Sequence, residues 1–180
     1  AQNKHAAPGI CTLAGASLLH LYRATGDGRY LDLLADVAGA LPQYVSRADR
    51  PIGSMPPGWV NERVNTSDWL EPVGEIFHGS CWPEVSVLLS SVDVPGVYAC
   101  TETRCVWTID PVVASWVETS DGRTTLSLAN PTPWPAELRV LIEDAAARRR
   151  PLPINCGLAY RRVRLAPGES VELDAASARG

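Results

Sequence analysis

The sequence predicts an α+β chain in two parts. A helical part resting on an α-hairpin spans residues 1–94, and an antiparallel β-sandwich spans residues 95–180. Three observations predict it. Up to about residue 45, apolar residues recur at the 3.6-residue spacing of amphipathic helices. Beyond Pro95 the spacing falls to two. Between two of the alternating runs stands Asp121-Gly122, the strongest hairpin signal in the chain.

In order along the chain, residues 8–24 are expected to form the first helix. Pro8 suits its first turn, and Ile10, Leu13, Ala14, Leu18 and Leu21 lie near one face. Gly26 can end this helix and Asp27 can cap the next. The second helix is expected from about Arg29 to Val45, with Tyr30, Leu33, Leu34, Val37, Leu41 and Tyr44 as its stripe and Pro42 kinking or ending it. Residues 46–79 show no regular period and hold four prolines, so they are expected to be a long functional loop. A third helix is expected from about Ser80 to Val92, with Ser80 as cap and Val85, Leu88, Leu89 and Val92 on one face.

In the second part the expected strands are 97–101, 104–109, 112–120, 123–129, 136–143, 158–165 and 169–174. Leu138, Val140 and Ile142 alternate with Glu137, Arg139 and Leu141, and Val163 and Leu165 alternate with arginines. Ala166-Pro167-Gly168 turns the chain into a last strand with Val171 and Leu173 inward.

Composition excludes several classes. Of 180 residues, 46% are hydrophobic and 20% charged, an ordinary balance for a globular chain. The net charge of −4 argues against a nucleic-acid partner, and the one basic run, Arg148 to Arg150, is expected to be a solvated loop. No apolar run is long enough to span a membrane, so no membrane partner is expected. The five cysteines form no Cys-x-x-Cys pair, and nothing supports a metal or organic cofactor. Cys100 and Cys105 flank a four-residue loop and are either a disulfide pair or two thiols.

Residues 59–84 concentrate polar, ionisable and aromatic groups without a clean period: Glu62, Arg63, Asn65, Asp68, Glu71, Glu75, His78, Cys81 and Glu84 among Trp59, Trp69, Phe77 and Trp82. Carboxylates beside aromatic faces are what a sugar site needs, acids for proton transfer and rings to stack on a pyranose. Glu62 and Asp68 suit a general acid and base pair, whose separation sets the outcome: about 5–5.5 Å for retention and about 6.5–9.5 Å for inversion. His78 suits a general base near neutrality. Arg63 suits a clamp on a substrate carboxylate, as a uronic acid would require, with Asn65, Trp69, Glu75 and Trp82 as further substrate contacts. The competing reading is a connector of capping and salt-bridged carboxylates with packed tryptophans. Cys81 reads as a buried small hydrophobe rather than a nucleophile.

LLHLYRATGDGRYLDLLADVA resembles one helical hairpin of the (α/α)-toroid enzymes. NERVNTSDW, GEIFHGSCWPEVSVLL and VPGVY, followed by a β-domain closing on LAPGESVEL, are similar to the C-terminal third of bacterial toroid glycoside hydrolase-like proteins. The resemblance implies the C-terminal part of a carbohydrate-active enzyme, most simply a glycoside hydrolase acting on a glycan or oligosaccharide, a polysaccharide lyase being second. It also implies that the rest of a toroid comes from an N-terminal portion or another chain. A non-catalytic carbohydrate-binding or scaffold module is the alternative, favoured if Trp116 and Trp134 are exposed on one flat face; an inactive fragment is a third reading.

Overall fold

The computed structural model describes residues 5–6, 15–52, 54–61, 64–65, 81–82, 94–150 and 160–175. The protein is a mixed α+β chain of two compact units, one comprising Ala1–Tyr22 with Gly26–Val94, the other Arg23–Thr25 with Pro95–Gly180.

The first unit holds a helical hairpin. Helix α1 spans Gly15–Thr25 and α2 spans Arg29–Ala40. Gly26, at φ 76°, ends α1 by donating its N–H to Tyr22 O at 2.7 Å, a conformation that favours glycine. Asp27 Oδ1 accepts the Arg29 N–H at 3.1 Å, but the capping position is Gly28, which has no side chain to cap with, and this corrects the expected Asp27 cap. Pro42 marks the expected break: the α-helix stops at Ala40 and a 3-10 turn, Leu41–Tyr44, follows.

The buried faces differ from the expected stripes. Leu18, Leu19 and Tyr22 are buried on α1, and Leu31 and Leu34 on α2 with Leu41 after it. Leu21 and Leu33 are exposed at 44% and 49%. Each helix offers two overlapping apolar arcs, and the spacing alone does not choose between them.

The described residues of the expected long loop are held by hydrogen bonds. Val45 bridges Val60, and Ser46, fully buried, organises what lies between. Its N–H donates to Trp59 O at 2.8 Å, its carbonyl accepts Gly58 N–H at 2.6 Å, and its hydroxyl donates to Met55 O at 2.9 Å. Four two-residue strands then pair in antiparallel fashion. These are β1 (His5–Ala6) with β3 (Val64–Asn65), and β2 (Val60–Asn61) with β4 (Cys81–Trp82). The expected third helix is therefore corrected at its start, because Cys81 and Trp82 are strand residues. Val85, Leu88, Leu89 and Val92 lie outside the described residues, as do Pro8 to Ala14 of the first helix.

The second unit holds two sheets, an arrangement consistent with a β-sandwich. One runs β10-β9-β5-β6, from Arg161–Leu165, Ala136–Glu143, Val97–Cys100 and Cys105–Thr108. The other runs β11-β8-β7, from Ser170–Asp174, Thr124–Ala129 and Val113–Glu118. Their inward residues form one core: Val97, Ala99, Leu138, Val140, Ile142 and Leu165 from the first sheet, Leu126 and Leu128 from the second. Val171 and Leu173 pack against it, as the alternation requires.

Two features correct the purely antiparallel expectation. β5 and β9 pair in parallel, Val97 opposite Val140 and Cys100 opposite Glu143. Parallel neighbours need a crossover, and β6, β7 and β8 provide it. A short helix, α3 (Ala145–Arg149), also stands between β9 and β10, capped by Asp144, whose Oδ1 accepts the Ala147 N–H at 2.7 Å. Among the described residues no helix is long and apolar enough to cross a membrane.

Candidate functional site

The strand pairs of the first unit bear directly on the polar-aromatic segment. Val60 stands opposite Trp82 and Asn61 opposite Cys81, so the two ends of the segment are drawn together as the neck of a closed loop. Within the segment, Val64 and Asn65 pair with Ala6 and His5. Asn65 and Trp82 are thus placed on short strands at the base of the loop. Glu62, Asp68 and His78, expected as catalytic groups, lie outside the described residues, as do Arg63, Trp69 and Glu75. The two-residue strands escaped notice in the sequence because alternation needs four or more residues to show.

Three arrangements in the second unit were not anticipated. The first is an ion pair. Arg23 reaches Glu143 through Nη2–Oε1 at 2.8 Å and Nε–Oε2 at 3.0 Å, and both side chains are almost wholly buried. Arg23 Nη2 also donates to Ala147 O at 3.1 Å, and Arg148 Nη1 donates to Arg23 O at 3.1 Å. Arg149 and Arg150 are exposed, as expected of a solvated basic run, but Arg148 is only 8% exposed, which corrects the expectation at that residue. Its burial follows from α3, whose last turn carries it.

The second lies on the outward face of the larger sheet. Val97, Ala99, Leu138 and Val140 point into the core, so Tyr98, Trp107, Arg139 and Leu141 point away from it. At the same end, the Asp110 carboxylate fills the space beside Gly96, where any β-carbon would collide with it. Gly96 O accepts the Ile109 N–H at 3.0 Å and the Asp110 N–H at 3.3 Å, which fixes the approach. Burial raises the Asp110 pKa above its ordinary range, and the nearby Arg139 charge opposes that rise. The Arg139 guanidinium lies 5.5 Å from the centre of the Tyr160 ring. The indole N–H of Trp107 is buried without a hydrogen-bond partner among the described residues. The sequence signal was the glycine itself, at the start of a strand where a side chain would be expected.

The third is the loop between β8 and β9. Asn130, 1% exposed, donates through Nδ2 to Trp134 O at 2.7 Å, Ala166 O at 3.2 Å and Leu165 O at 3.3 Å. Its Oδ1 accepts the Thr132 N–H at 3.0 Å and hydroxyl at 2.7 Å. This loop presents Trp134 at 70% exposure between Pro133 and Pro135. Trp116, by contrast, packs against the core and donates through Nε1 to Cys105 O at 3.3 Å. The two tryptophans therefore do not form an exposed pair.

Among the described residues, no group of three or more histidines, cysteines and carboxylates is placed to hold a metal ion. Compared with protein-family models, curated proteins and solved structures, the chain matches none.

Proposed function

We propose that this chain is the C-terminal part of a carbohydrate-active enzyme, a glycoside hydrolase acting on a glycan that includes acidic sugars. In this reading the helical hairpin is one unit of an (α/α) toroid whose other hairpins come from the same or another polypeptide. The observation that carries the reading is the strand-paired neck at Val60–Asn61 and Cys81–Trp82. It closes a loop in which Glu62, Arg63, Asp68, Trp69, Glu75 and His78 are held within a short span of chain. Loops closed at the neck and rich in polar and aromatic groups are where compact scaffolds carry binding and catalysis.

In this mechanism one of Glu62 and Asp68 donates a proton to the leaving oxygen. The other acts as base or nucleophile, and their separation decides the stereochemical course. Arg63 binds a substrate carboxylate in a two-pronged contact, and Trp69 and Trp82 stack on sugar rings. The test is incubation of the protein with acidic and neutral polysaccharides, following reducing ends and the ultraviolet absorbance of unsaturated uronates. Reducing ends without that absorbance support hydrolysis. Absorbance rising with reducing ends supports a lyase, and neither signal counts against an enzyme.

A second reading, a non-catalytic carbohydrate-binding module, draws on Trp134. An indole 70% exposed on a loop whose backbone is pinned by buried Asn130 is a preformed stacking surface. Retention of Trp134→Ala on a polysaccharide affinity gel, against wild type, tests it: weaker retention supports a binding module and equal retention opposes it.

A further inference from the structure

We propose that Cys100 and Cys105 are a redox pair that forms a reversible disulfide across the mouth of the β5–β6 hairpin. The two residues are direct partners in the antiparallel register, flanking the turn Thr101–Arg104, and both carry thiols. Direct partners on adjacent antiparallel strands lie about 4.5–5.5 Å apart between α-carbons. A disulfide accepts about 4.4–6.8 Å. Opposed residues also project to the same face of the sheet, so both sulfurs leave the backbone on one side. That face is the outward one, because Ala99 and Val106, one position along each strand, pack into the core.

The environments of the two thiols differ, and the difference orders the chemistry. Cys100 is fully buried, whereas Cys105 is half-buried. Cys105 is therefore the sulfur that a small disulfide such as oxidised glutathione reaches first. The Cys105 thiolate attacks one glutathione sulfur, the glutathione S–S bond breaks and one glutathione thiolate leaves. The Cys100 thiolate then attacks the Cys105 sulfur, forming the protein disulfide and releasing the second glutathione. Two protein thiols are oxidised, one glutathione disulfide is reduced to two thiols, and the two protons pass to the leaving thiolates.

The pair is wired to both sheets. In the same register row, Cys100 stands opposite Glu143, whose carboxylate Arg23 holds. The backbone carbonyl of Cys105 accepts the Trp116 indole N–H from the facing sheet. Arg104, at φ 53°, closes the turn and binds Glu118 Oε1 at 2.5 Å. Oxidation pins this turn.

The test equilibrates the intact chain in glutathione buffers of graded oxidation, quenches with acid, blocks thiols with N-ethylmaleimide and cleaves after arginine. Cleavage after Arg104 separates the two cysteines, so their disulfide appears as two joined peptides. The expected result is joined peptides that accumulate with oxidation and revert with reduced glutathione, absent from Cys100→Ser and Cys105→Ser. In Cys100→Ser, glutathione should remain on Cys105. Both thiols staying alkylatable in the most oxidised buffer would overturn the proposal. So would wild type stopping at glutathionylated Cys105, or either cysteine joining a different one. The wild-type peptide map decides the matter even if a serine variant fails to fold.

Discussion

Arg23 and Glu143, 120 positions apart in sequence, form a two-pronged ion pair in the interior of the second unit, with Nη2–Oε1 at 2.8 Å. Both side chains are at most 6% exposed, so each charge depends on the other for its solvation. Glu143 ends β9 and its carbonyl accepts the Thr101 N–H at 2.9 Å, so the pair ties the register of β9 and β5 to the turn that follows.

Removing one member strands a buried charge. Arg23→Met or Glu143→Leu is expected to cost about 3–5 kcal/mol in urea unfolding. The double variant Arg23→Met/Glu143→Leu is expected to recover most of that loss, because an apolar pair of similar volume leaves no charge unpaired. A double variant as unstable as the two singles summed would show that Arg23 and Glu143 act independently.

Asn130 makes five side-chain hydrogen bonds that join the β8–β9 loop to the turn before β11. Asn130→Ala is expected to cost about 2–3 kcal/mol, since it removes all five bonds and leaves the part-buried Thr132 N–H without its acceptor. Trp134→Ala is expected to change stability by less than about 0.5 kcal/mol, because the indole is exposed. Thermal unfolding of the two variants side by side checks both.

The raised pKa of Asp110 carries a defined pH signature. The fold favours its neutral form, so its contribution is complete below the ordinary value of 3.8 and is lost as pH rises through the higher folded value. At neutral pH the buried charge is a net cost, partly offset by Arg139 and by solvent. Asp110→Asn is therefore expected to be more stable than wild type at neutral pH, by about 0.5 kcal/mol or less, with the advantage vanishing in acid. Melting temperatures across this range check it, and an advantage that grows toward acid would reverse the assignment.

Much of the second unit was legible because its strands are long enough for alternation to show. Leu138, Val140 and Ile142 point inward as expected, and Gly122, at φ 78°, turns β7 into β8. The parallel pairing of β5 with β9 was not legible, because it joins segments separated by three strands. The burial of Arg148 was not legible for a related reason. A charged residue is assigned to the surface unless its partner is known, and the partner here is distant in sequence. For the candidate site, the sequence marked the composition of residues 59–84 but not the neck that closes it. The pairs Val60–Trp82 and Asn61–Cys81 are too short to leave a pattern.

We propose that the loop closed by Val60–Asn61 and Cys81–Trp82 carries the chemistry of a glycan-cleaving enzyme. The most direct test is the turnover of Glu62→Gln and Asp68→Asn on a glycan that the wild-type protein cleaves, measured by reducing-end release alongside melting temperature. The expected result is a fall of about 10²–10⁴-fold in each variant with unchanged melting temperature. Near-wild-type turnover in both variants, or no glycan cleaved by the wild-type protein, would contradict it.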